Sequence, residues 1–148
     1  MKVKYFPLLI ICISVCVFAE TPSYSESLAH AKQLWQSKNI YEYSYSLTAG
    51  GVFTSREYKI HVKGKTCSAK LKSSLQKEHW EKTECANYTV PELFLMVENE
   101  LVKKNEKLEV KFNPEFGNLE KIFVEPGGNI EDGLWYVDLT NLKIHPAR

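Results

Sequence analysis

Histidine, cysteine, serine and tyrosine are the residue types here whose chemistry could matter, so their spacing is the first test. The histidines are His30, His61, His79 and His145. No two stand at the separation a helical or strand metal pair uses, and none sits in a recognised zinc motif. Glu78-His79-Trp80-Glu81 is the densest cluster, and a solvated loop explains it better than an acid/base pair. A histidine could still meet a distant Ser or Asp in space, which spacing does not decide. The serines lack a nucleophile elbow, and Gly50-Gly51 and Gly127-Gly128 lack the strand-glycine-helix setting of a phosphate loop. No catalytic residue, metal site or cofactor is expected on these grounds.

Tyrosine offers a stronger pattern. Tyr41, Tyr43 and Tyr45 alternate with Glu42, Ser44 and Ser46, so the three rings share one face of a strand. If that face meets a helix, the rings are core and their hydroxyls need partners or a path to the rim. If it faces outward, they form an amphipathic platform for a protein or glycan. The wettable opposite face favours the core reading.

Of the four cysteines, Cys12 and Cys16 fall inside an apolar leader. Met1-Lys2-Val3-Lys4 is positive, an apolar run follows from Leu8 through Phe18, and Val17-Phe18-Ala19 suits a signal peptidase. Residues 1–19 therefore read as a cleaved signal peptide and 20–148 as one domain. The apolar run is shorter than the roughly 20 residues a membrane span needs, so no stable membrane anchor is expected after cleavage. Acylation at Cys16 is disfavoured because Ile13-Ser14-Val15 lacks the small residue such a site prefers. Cys67 and Cys85 then remain as an even pair in an oxidising compartment, periplasmic or extracellular, where a structural disulfide is expected. A redox dithiol usually has closer spacing, and a zinc site needs further ligands.

Losing Lys2 and Lys4 from the 19 basic residues leaves 17 against 18 acidic ones, a formal charge of −1. Positive and negative side chains are interspersed along the chain, which gives no basis for nucleic-acid binding.

The elements that would position these residues follow from periodicity. Leu28, Ala31, Leu34 and Trp35 predict a helix over 23–37. Strands are predicted over 40–47, 52–62 and 66–75, joined by turns at Ala49-Gly50-Gly51 and Lys63-Gly64-Lys65. Residues 76–87 read as irregular. Thr89-Val90-Pro91-Glu92 opens a second helix with a capping box and a stripe of Val90, Leu93, Phe94, Val97 and Leu101. Strands over 108–112, 119–124 and 134–142 complete the chain. The expectation is an α+β fold in which a helix plus a three-stranded antiparallel meander occurs twice in tandem, with helices packed on one face of the sheet. One continuous sheet is favoured over two, because a lone three-stranded sheet is marginal.

Several pieces taken in order resemble the small secreted bacterial proteins of the domain of unknown function 6174 family. They are Trp35, Tyr41-Glu42-Tyr43-Ser44-Tyr45, His61-Val62-Lys63-Gly64-Lys65, Thr89-Val90-Pro91-Glu92-Leu93-Phe94, Val110-Lys111-Phe112-Asn113-Pro114-Glu115-Phe116-Gly117, and Glu131-Asp132 ahead of Tyr136-Val137-Asp138-Leu139. The resemblance implies export and a compact α+β domain, and it carries no catalytic residues over. The functional expectation is a non-catalytic binding module of the cell envelope or extracellular space, of which an inhibitor or immunity-type protein acting on another protein is one form. The alternative is a binder of a small ligand or peptide in a helix-sheet cleft, with an enzyme third.

Overall fold

The computed structural model describes residues 23–73, 80–85, 87–103, 105–127 and 133–146. The expected leader, Cys12, Cys16, His79 and Glu131-Asp132 lie outside the described residues.

Helix α1 (Tyr24–Ser37) starts where the sequence provides a reciprocal cap: Ser23 Oγ accepts from the Glu26 amide, and the Glu26 carboxylate accepts from the Ser23 amide at 2.8 Å. It buries Leu28, Ala31 and Trp35. After β1 (Glu42–Gly51), β2 (Ser55–Lys63), β3 (Thr66–Ser73) and a short β4 (Glu81–Thr83), α2 (Val90–Leu101) opens with Pro91 in its first turn. The Glu92 carboxylate accepts from the Thr89 amide and hydroxyl. Strands β5 (Asn105–Phe112), β6 (Leu119–Pro126) and β7 (Trp135–His145) follow.

The tandem arrangement is corrected by the topology. The seven strands of the described residues form one antiparallel sheet in the order β4-β3-β2-β1-β7-β6-β5. Among the described residues the protein is mostly sheet with two helices, not a helix-and-three-strand meander repeated. Two features break the expected repeat. The polar segment before α2 contributes β4, which pairs Lys82 with Lys70 on β3. The last strand extends to His145 and pairs with β1 along almost its whole length, from Gly51 opposite Trp135 to Glu42 opposite His145. That pairing fuses the two halves, so neither is a unit with its own sheet. An irregularity between Ser44 and Ser46 gives β7 one extra residue there, and Asn141 takes the left-handed conformation, φ 56°.

Both helices lie on one face. Their stripes meet Tyr43, Tyr45, Leu47, Tyr58, Ile60, Val62, Ile122, Val124, Val137 and Leu139 in one continuous core. The opposite face has no helix over it among the described residues. It carries Ser44, Ser46, Lys59, His61, Ser68, Lys70 and Lys143.

The turn between β5 and β6 locks α1 to the sheet. The Asn113 side chain accepts from the Glu115 and Phe116 amides, each at 2.9 Å, and the Gly117 amide donates to the Asn113 carbonyl. Gly117 has φ +81°, and a Cβ there would lie 2.3 Å from the Ala31 carbonyl oxygen. Only glycine combines that conformation with that approach.

Candidate functional site

The two inner tyrosines of the β1 stripe are core. Tyr43 and Tyr45 retain 4 % and 3 % of their exposure, while Tyr41, just before β1, keeps 57 %. The three therefore do not share an exposed platform. Tyr43 packs edge-on against Trp35 with ring centres 5.1 Å apart, and its hydroxyl accepts from the Val90 amide, one of the orphan donors at the start of α2. The Tyr45 hydroxyl is buried with no hydrogen-bond partner among the described residues. Burial, helped by Tyr43 and Glu92, pushes its ionisation far above the ordinary tyrosine range. Tyr41 instead covers the β2–β3 turn, where the Gly64 amide donates to its carbonyl at 2.8 Å.

Cys67 and Cys85 are joined, with Cα atoms 5.8 Å apart, inside the usual disulfide range. The bond ties β3 to the segment leading into α2, at the rim of the core.

The polar face holds the remaining candidates, and here the fold joins residues that the sequence keeps far apart. Ser44 Oγ and His145 Nε2 lie 3.0 Å apart, and His61 Nε2 lies 3.1 Å from Glu42 Oε1. The two imidazoles meet edge to face with centres 5.7 Å apart. Lys63 Nζ sits 2.8 Å from the other Glu42 oxygen. The Lys63 ammonium, followed by His61, holds the Glu42 carboxyl below its ordinary value. Strand register makes this cluster: β1 pairs Ser44 with His61 on one side and Lys143 on the other, and Glu42 lies opposite His145. A serine beside an imidazole is the first half of a nucleophilic dyad. The second half is a group orienting that imidazole, and the carboxylate here serves His61, not His145. His30 lies exposed on α1, remote from the cluster. No group of three or more His, Cys, Asp or Glu among the described residues could hold a metal ion.

Next to this cluster the face hollows into a concavity of about 610 Å³, lined by Ser44, Ser46, Lys59, Ser68, Lys70 and Lys82 among others. A second hollow of about 820 Å³ lies over Asn113, Glu120, Lys121, Tyr136 and Asp138. On the helix side, the core is filled by side chains such as Leu47, Ile60, Leu93 and Val97. At its edge a recess of about 460 Å³ is lined by Tyr58, Tyr88 and Met96.

The two ends of the polar face differ in charge. Around β5 and β6 the lysines are matched: Lys107 lies 2.9 Å from Glu109, Lys111 2.7 Å from Glu120, and Lys121 3.6 Å from Glu109. Across β2, β3 and β4, register places Lys59 opposite Lys70 and Lys70 opposite Lys82. None of these three forms an ion pair among the described residues. Composition gave no sign of this patch, because Lys59, Lys70 and Lys82 gather only when three strands pair.

A disulfide-linked sheet with helices on one side and a polar, partly basic surface on the other defines a small sheet-scaffold domain. The chain belongs to DUF6174, a family of unknown function whose model matches residues 27–144. None of the curated proteins is similar to it at a significant level.

Proposed function

We propose that the protein is an exported, non-catalytic binding module that works in the periplasm or outside the cell through the polar face of its sheet. One observation carries this reading. Among the described residues, both helices pack on one side of a seven-stranded sheet and leave the other side open, hollowed to about 610 Å³ and bordered by lysines in register. A sheet face that served only as scaffold would balance its charges, as the β5–β6 end does. The leader pattern of residues 1–19 and the Cys67–Cys85 bond support export.

A photoreactive side chain at position 59 is expected to capture a partner from an envelope or culture extract, while the same group at position 33 on α1 captures none. Equal labelling at both positions would remove the polar face from consideration. N-terminal sequencing of the exported form should begin at Glu20. Full-length chain recovered from the cytosol with both thiols reduced would end the export reading.

The Ser44–His145 contact favours a second reading, hydrolysis by a serine nucleophile. A fluorophosphonate probe separates the two: no adduct is expected at Ser44, and a stoichiometric adduct there would replace the binding module with an enzyme.

A further inference from the structure

Side chains of like charge directly opposite one another on neighbouring strands destabilise a sheet. Lys59, Lys70 and Lys82 form such a row across three adjacent strands. Strands lie about 4.8 Å apart, so the row extends roughly 10 Å. Its continuation on β1 is Ser46, and the next row along the strands reads Ser68, His61, Ser44 and Lys143. Trp80 stands at the outer edge, with Lys59 Nζ 4.2 Å and Lys72 Nζ 5.7 Å from its ring centre. Glu57 lies opposite Lys72, and Glu42 is taken by Lys63 and His61, so neither neutralises the central row.

We infer that this basin binds a linear saccharide carrying sulfate or phosphate groups, with the Lys59–Lys70–Lys82 row meeting the anions, Ser44, Ser46 and Ser68 meeting sugar hydroxyls, and Trp80 flanking a ring. The inference rests on the binding-module reading and names the ligand of that same face. Three features select this occupant. All three row cations are lysine, a strongly hydrated point charge that suits a solvated oxyanion better than the bidentate contacts arginine makes. Lysine and serine are depleted in protein–protein interfaces, where aromatic residues and arginine are enriched; the basin has the reverse composition. The hydroxyls lie beside the cations on the same face, Ser68 two residues from Lys70 on β3 and Ser46 directly opposite Lys59, which a bare polyanion would not need. The strand spacing is also comparable with one pyranose ring of a linear chain, so successive lysines can address successive residues.

The test is titration calorimetry on the purified disulfide-bonded protein with four probes: a heparin-derived sulfated tetrasaccharide, the same saccharide desulfated, inorganic tripolyphosphate and a hexaglutamate peptide. The sulfated saccharide should bind most tightly, and its affinity should fall on the order of tenfold as salt rises from low to moderate concentration. The triple variant K59Q/K70Q/K82Q should lose at least about tenfold in affinity, while K107Q/K111Q/K121Q at the paired end keeps it. K70Q should also raise the melting temperature while weakening binding, because it relieves the like-charge row; a lysine kept for the fold would do the opposite. Tighter binding of hexaglutamate would overturn the saccharide and leave the binding-module reading standing, with an acidic protein segment as ligand. Equal binding of tripolyphosphate would reduce the site to charge alone and overturn it too. Failure of every probe would overturn the inference, whereas the capture experiment at positions 59 and 33 judges the module reading separately.

Discussion

Two tyrosines two residues apart carry opposite consequences. Tyr43 has a partner for its hydroxyl and Tyr45 has none among the described residues, although both rings are buried. Tyr43→Phe leaves the Val90 amide without an acceptor and should cost about 1 kcal/mol, whereas Tyr45→Phe removes an unpaired polar atom and should be neutral or stabilising by about 1 kcal/mol. Urea denaturation of the two variants checks the contrast; equal destabilisation would refute it. The carboxylates give a pH prediction. Lys63 and His61 lower Glu42, Lys107 lowers Glu109, and Lys111 with Asn113 lowers Glu120 relative to the ordinary 4.5. A group whose folded pKa is depressed adds stability above its unfolded pKa, and that stability is lost as pH falls through the folded value. Melting temperature should therefore hold from pH 7 to about the ordinary 4.5 and decline below it, and Glu120→Gln should flatten the decline.

Among the elements, the β5–β6 turn is the tightest constraint. Gly117 needs positive φ and lets the α1 backbone approach at Ala31. Gly117→Ala meets strain and a steric clash together, so it should destabilise by more than about 1 kcal/mol, beyond what either Asn39 or Asn141 shows when changed to alanine at an open positive-φ site. Thermal melts of the three variants compare them directly. The polar face follows from strand register in the same way. A slip of one residue in β3 would turn Lys70 toward the core and Ala69 outward, and the buried Ala69 opposite Ile60 holds the register.

For the whole molecule, the disulfide and the β1–β7 pairing decide the architecture. Cys67 and Cys85 are 18 residues apart, a loop worth roughly 3 kcal/mol on the chain-entropy account. Cys67→Ser should lower unfolding free energy by about that amount while leaving the fold's near-ultraviolet circular dichroism intact at low temperature; an unchanged denaturation midpoint would count against a structural bond. The β1–β7 pair joins residues about a hundred positions apart, as Glu42 opposite His145 shows. Such non-local closure makes folding slow relative to helical domains of this size.

What the residues determined alone was mostly local. Helix starts at Ser23 and Thr89, the hairpin turn at Gly64, the burial of Tyr43 and Tyr45, and the Cys67–Cys85 pairing follow from periodicity, capping and parity. The expected turn at Ala49-Gly50-Gly51 instead falls after Gly51, because pairing with Tyr136 and Trp135 on β7 keeps Gly50 and Gly51 in β1. β4 is not legible in the sequence because three residues are too few to show alternation, and the end of β7 beyond Leu142 is not legible because Asn141 interrupts its alternation at the bulge. The Ser44–His145 contact, the His61–Glu42 pair and the Lys59–Lys70–Lys82 row depended on which strands became neighbours. Period-two patterns say which way each side chain points but not which strand lies beside it, so only tertiary pairing could bring those groups onto one surface.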